Sequence, residues 1–178
     1  MSTWIALLRG VNVGGNNPLP MKSLLALLTR LGMEDARTYI QSGNVVFRSR
    51  AGTAPALAKA IAQAISQEHG FAPKVLVLRA ADLERTVAEN PYPAAAADPR
   101  RHHVYFLSEA PRAPDLAALE ALRVGETFAL AGARFYLHTP DGLGNSRLAA
   151  RVEKALGVDA TARNWITVTA LQEMARAL

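Results

Sequence analysis

Residues 37–48, RTYIQSGNVVFR, hold two short runs rich in β-branched and aromatic side chains, parted by Ser42 and Gly43. That pattern predicts a tight β-hairpin. What flanks it decides the fold. Upstream, Leu24, Leu25, Leu27, Leu28 and Leu31 recur at helical spacing over Met21–Leu31, with Gly32 placed as a C-cap. Before that helix stands an apolar run, Trp4 to Leu8, which reads as a strand. Downstream, a helix is expected from about Ala54 to Glu68, closed by Gly70, then a strand over Pro73–Leu78 and a short helix over Ala81–Glu89. The order is β-α-β-β-α-β with one trailing helix, the order of a ferredoxin-like split βαβ unit.

The chain then repeats itself in outline. Residues 91–101 are rich in proline and alanine and read as a linker, because no helical period survives Pro93 and Pro99. After them come a strand at His103–Leu107, a helix at Asp115–Leu122, and a hairpin of Thr127–Leu130 with Arg134–His138 turning near Gly132. A helix over Asn145–Leu156 capped by Gly157, a strand-like piece over Thr161–Ile166 and a helix from Thr169 to Leu178 complete it, with Gln172 in capping-box position. The expected fold is therefore α+β: two ferredoxin-like (βαββαβ-type) halves packed together, residues 1–90 and 102–178, each with an extra helix and joined by the 91–101 linker. A single larger α+β sheet is the competing reading.

Composition narrows the chemistry. The 178 residues contain no cysteine, which excludes disulfides, thiolate metal sites and cysteine nucleophiles. His69, His102, His103 and His138 form no metal-ligand spacing such as HExxH, so no metal is expected. No apolar stretch reaches the roughly 18 residues of a membrane span, and no secretory signal is visible, so a cytoplasmic protein without membrane partners is expected. The net charge of +5 favours acidic partners, although an arginine- and alanine-rich composition produces such a charge without selection for binding.

Two loop clusters hold the candidate residues. In a βαββαβ unit the loop leaving the first strand and the tip of the following hairpin lie at one end of the sheet. This brings RGVNVGG, with Arg9, Asn12 and Gly14, beside Ser42 and Asn44. In the second half the same topology pairs GLGNSR, with Asn145, Ser146 and Arg147, with ARNW, contributing Arg163, Asn164 and Trp165. Glycines ahead of a helix N-terminus favour an anion, an arginine adds a bidentate contact, and an indole ring can stack. Each motif also has an ordinary structural reading as a turn, an N-cap or an anchor. RGVNVGG fits neither the phosphate-binding GxxxxGK[ST] nor the dinucleotide GxGxxG spacing, and no catalytic constellation stands out.

LLRGVNVGG, Met21 at the helix start, RTYIQSGNVVF, Asn90 with Pro91, GNSRL and ATARNWITV together resemble the bacterial "domain of unknown function 1697" family over nearly the whole chain. The resemblance implies a soluble, cytoplasmic, ferredoxin-like α+β protein with no established activity, cofactor or reaction. Its motif residues fall on Arg9, Gly10, Asn12, Gly14, Gly15, Tyr39, Ser42, Gly43, Asn44, Arg163, Asn164 and Trp165. Arg147 stands where the pattern leads one to expect lysine, and Ala162 where a second threonine is expected. The leading functional expectation is a binder of a phosphorylated, anionic small molecule or nucleotide. A nucleic-acid-binding module is the alternative, disfavoured because only 6% of residues are aromatic. An interaction or regulatory protein, with purely structural loops, is the third.

Overall fold

The computed structural model describes residues 1–50 and 52–178. Among them are two four-stranded antiparallel sheets. The first contains β1 (Ser2–Arg9), β2 (Glu34–Tyr39), β3 (Asn44–Ser49) and β4 (Lys74–Arg79) in the order β2-β3-β1-β4. The second contains β5 (His102–Leu107), β6 (Thr127–Ala131), β7 (Arg134–His138) and β8 (Ala160–Asn164) in the order β6-β7-β5-β8. These are the same order, with the first strand of each unit in the centre, as the split βαβ arrangement requires. The chain divides into two compact units, Met1–Arg85 with Thr169–Leu178, and Thr86–Val168.

In the first unit β1 is buried from Trp4 to Leu8 without alternation, as befits a central strand covered on both faces. The helices α1 (Met21–Arg30) and α2 (Ala54–His69) follow β1 and β3. Gly32 leaves α1 at φ +76°, and the Met33 N–H closes back on the Leu28 carbonyl at 3.0 Å. Thr53 caps the start of α2 and left-handed Gly70 its end. Leu24, Leu27 and Leu28 of α1 and Ile61 and Ile65 of α2 pack with Trp4, Ala6, Leu8, Val45 and Phe47 in one core. At roughly 25 cal/mol per Å² of apolar surface, burying each large side chain contributes about 1.5–3 kcal/mol before entropy is charged.

The helix α3 (Ala80–Ala88) follows β4 and α6 (Trp165–Arg176) follows β8, the extra helix expected after each half. The C-terminal part of α6 belongs to the first unit. There Arg176 grips both Glu84 carboxylate oxygens at 2.7 and 2.8 Å, and Gln172 donates to the same carboxylate at 2.7 Å. That pairing holds the Glu84 carboxyl below the usual range.

The second unit keeps the topology but shortens its helices to α4 (Leu116–Glu120) and α5 (Val152–Leu156). Two expectations are corrected here. The helix expected over Asn145–Leu156 is broken into short 3-10 turns at Leu143–Asn145 and Ala149–Arg151, and only its last five residues are α-helical. The cause is Ser146, whose hydroxyl accepts from the Ala149 N–H at 3.0 Å and donates to Glu126 at 2.5 Å, fixing an extended residue where a helix would run. The last helix begins at Trp165, not Thr169, because the Asn164 side chain accepts the Thr167 N–H at 3.0 Å and serves as the cap. Gln172, expected to close a capping box, is instead spent on Glu84. Within the expected linker, Pro93–Ala96 forms a 3-10 turn that buries Ala95.

Candidate functional site

The first loop cluster assembles where the topology puts it. The Leu8 N–H donates to the Gly43 carbonyl at 2.8 Å, so the end of β1 meets the hairpin tip. The loop itself is a small hairpin: Asn12 N–H bonds to Asn17 carbonyl at 3.1 Å, and Asn16 N–H to Val13 carbonyl at 2.9 Å. Gly14 and Gly15 fill the turn at φ +56° and +78°, the positive pair that a two-residue type I′ turn needs.

Most of the polar side chains in this cluster point inward. Asn12, itself left-handed at φ +55°, donates to the Leu19 carbonyl at 2.9 Å and the Gln41 carbonyl at 2.8 Å. Its Oδ1 accepts the Leu19 N–H at 2.7 Å. Asn17 donates to the Gly10 carbonyl at 2.9 Å. Asn44 is fully buried and donates to Ser42 Oγ at 2.9 Å and the Tyr39 carbonyl at 3.2 Å. Gly43 is required by contact as well as by conformation. A Cβ there would lie 2.6 Å from Leu8 Cβ and 2.7 Å from Val11 Cγ2. Arg9 is exposed at the end of β1, across from Lys74 in register.

In the second unit, GLGNSR and ARNW share an end of the sheet, since His138 pairs with His102 and Asn164 with His103. Arg163 is half-buried, donates to the Ala162 carbonyl at 2.9 Å, and burial pushes its guanidinium down to about 10. Asn164 is the helix cap, and the Trp165 ring is buried, with 7% exposure.

The loop from Asp141 to Arg147 instead faces the segment between α4 and β6. A hollow of about 240 Å³ is lined there by Leu122, Val124, Glu126, Asp141, Asn145 and Arg147 among others. An adjoining, more open hollow of about 630 Å³ lies between Ala118, Ala121 and Leu122 on one side and Arg147, Ala150 and Arg151 on the other. Leu122 and Arg147 line both. Neither hollow includes residues 163–165.

Glu126, which sequence reading missed, organises this loop. It is 8% exposed, accepts from Ser146 and from the Val124 N–H at 2.8 Å, and these bonds hold its carboxyl below the usual carboxylate range. Asn145 donates its amide to the Asp141 carbonyl at 2.9 Å. Arg147 and Arg151 are exposed, and neither makes an ion pair among the described residues. Many other arginines do, as in Arg48–Asp35, Arg123–Glu120 and Arg134–Glu89. Among the described residues no group of His, Cys, Asp and Glu side chains could hold a metal ion, and no helix is long and apolar enough to cross a membrane.

Fold and loops define an α+β protein of two ferredoxin-like units. The chain belongs to the family described as "Protein of unknown function (DUF1697)", whose model matches residues 1–136. Among solved structures it is similar to a conserved bacterial protein, SP0830 from Streptococcus pneumoniae. The TM-score is 0.73 at 24% identity, with 98% of each chain covered. No curated protein matches the sequence.

Proposed function

We propose that this protein binds a phosphorylated small molecule in the second unit, with the phosphate held by Arg147 and Arg151. The observation that carries this is an arginine, Arg147, with no carboxylate partner among the described residues, lining two adjoining hollows at once. Guanidinium groups suit phosphate because their forked donors match its oxygens, and Arg147 meets this need as well as the lysine expected there would. Asp141 and Asn145 line the smaller hollow together with Arg147, where they suit hydroxyl or amino groups of the same ligand. Glu126, kept ionised by Ser146 and the Val124 N–H, lines the smaller hollow, so the phosphate belongs on the Arg151 side, in the larger hollow whose lining holds no carboxylate.

The Arg9, Asn12, Gly14, Ser42 and Asn44 cluster supports the reading less, since its amides bond inward and its glycine pair forms a turn. A cytoplasmic setting, where phosphorylated metabolites and nucleotides abound, belongs to the same proposal.

Thermal shift with inorganic phosphate, pyrophosphate, sugar phosphates and nucleoside phosphates tests it, because a ligand of the native state must raise the melting temperature. At least one class should stabilise the protein. Arg147→Ala and Arg151→Ala should each weaken that response by about tenfold or more, the scale of a lost charged hydrogen bond, while Arg9→Ala leaves it unchanged. No response across the panel, or a response untouched by both substitutions, refutes the proposal. A salt-sensitive gel shift with RNA or DNA in place of small-molecule binding would transfer the function to nucleic acid.

A further inference from the structure

We infer that the outer edge of β6 is a self-association surface, on which a second copy of this chain adds its own β6 antiparallel to form a continuous eight-stranded sheet across a two-fold axis. The inference is independent of the arginine-lined hollows.

β6 is the outermost strand on its side of the second sheet, and it pairs with β7 in unbroken register from Thr127↔His138 to Ala131↔Arg134. The N–H and C=O groups of Phe128 to Leu130 that point away from β7 meet no partner among the described residues. An open row of this kind is a template for another strand unless charge, proline or a bulge blunts it. The strand and its turn, TFALAGA over residues 127–133, carry no charge and no proline. The corresponding edge of the first unit shows the usual protection. There β2 shifts register between Glu34 and Arg37, Asp35 sits at φ +53°, and charged side chains follow in succession.

The strand is also complementary to itself. With Ala129 on the two-fold, Thr127 of one copy lies beside Ala131 of the other, and Phe128 beside Leu130. Phe128 and Leu130 are half-buried against the same core, where Phe128 stacks on Phe135 at 5.4 Å. Pairing would set two aromatic–aliphatic cross-strand contacts over the open end of that core, a combination that stabilises antiparallel neighbours. An isologous interface opposes each residue to its own kind near the axis, so a charge-free centre is what a two-fold pairing needs. The large exposed hydrophobics of this unit, Leu116 and Val124, both lie in the connection that leads into β6.

Sedimentation velocity on the full chain across a concentration series, together with amide exchange, tests this. The expected result is a monomer–dimer equilibrium in which the outward-pointing Phe128 and Leu130 amides gain protection as the dimer forms. Ala129→Lys would place two ammonium groups together at the axis, and Thr127→Lys, at an exposed position, gives up its hydrogen bond to Tyr92 and no core contact. Each should weaken association by about tenfold or more while the isolated monomer still melts in one cooperative transition, and Thr38→Lys on β2 should have no effect. A chain monomeric at every concentration, or a dimer indifferent to both β6 lysines, overturns the inference. So does an extended peptide that protects these amides while the chain itself stays monomeric.

Discussion

Replacing Asn12 by alanine should destabilise the first unit by about 3 kcal/mol. The side chain makes three hydrogen bonds, at 2.7, 2.8 and 2.9 Å, that tie the loop to Leu19 and to the β2–β3 turn. A net contribution of about 1 kcal/mol per bond gives roughly 3 kcal/mol, trimmed to about 2 because the Gln41 carbonyl is exposed and can return to water. Residue 12 also sits at φ +55°, which costs alanine about 1 kcal/mol that glycine and, largely, asparagine avoid. Asn12→Gly should therefore cost about 2 kcal/mol and Asn12→Ala about 3, the difference being the backbone share. The two tryptophans allow the assay to be local, since Trp4 is buried in the first unit and Trp165 in the second. Urea titration of a Trp165→Phe background, read by Trp4 fluorescence, reports the unit that carries the loop. A loss below about 1 kcal/mol for Asn12→Ala, or a glycine variant less stable than the alanine one, would show that the loop is not held this way. A ligand-contacting asparagine with no structural duty would give that result.

The glycines should separate by cause. Gly43→Ala forces a Cβ into Leu8 and Val11 at φ +73° and should cost about 3 kcal/mol or more, whereas Gly14→Ala, with open space around it, should cost only about 1 kcal/mol for its φ of +56°. Equal losses in urea titration would refute the distinction. Glu126 should make the second unit acid-sensitive. Its folded pKa is lowered, so its stabilising share is present above the ordinary value of about 4.3 and is lost as pH falls through the lowered folded value. Ser146→Ala removes the largest cause and should flatten that acid limb, read by Trp165 fluorescence, while an unchanged slope would assign the titration elsewhere.

What could be read in advance depended on whether the deciding interactions were local. The 37–48 hairpin, the leucine period of α1 and the closing glycines 32 and 70 are signals contained within a few residues, and each appears where expected. The failures come where a partner is distant in sequence, or where a residue serves the element after it and not the one before. Leu148, Val152, Ala155 and Leu156 recur at helical spacing and are indeed buried, so the apolar face was legible. The backbone beneath them was not, because Ser146 answers to Glu126, twenty residues away. Asn164 looked like part of a strand ending in ligand-facing residues, and only the bond to the Thr167 N–H reveals a cap. The juxtaposition of RGVNVGG with SGN was correctly placed by topology. The direction of its polar groups could not be, since Leu19 and Gln41 offer only backbone groups that leave no mark in a sequence.

The same topology built twice also explains why a hollow forms in the second unit. Sheets of this kind need a helical layer over one face, and in the first unit α1 and α2 supply it with 10 and 16 residues. In the second, α4 and α5 have five residues each, and the chain between β7 and α5 crosses the sheet in turns. Leu119, Leu148 and Val152 still reach down to seal the core, each fully buried. Above them the space that two long helices would occupy is left to Ala118, Ala121 and Ala150, whose small side chains cannot fill it. Irregular backbone is harder to stabilise than helix, and Ser146, Glu126 and Asn145 all spend hydrogen bonds to hold it. A protein needing only a stable sheet could have kept the longer helices, so the polar network around Arg147 is better accounted for by what the gap admits than by the stability it contributes.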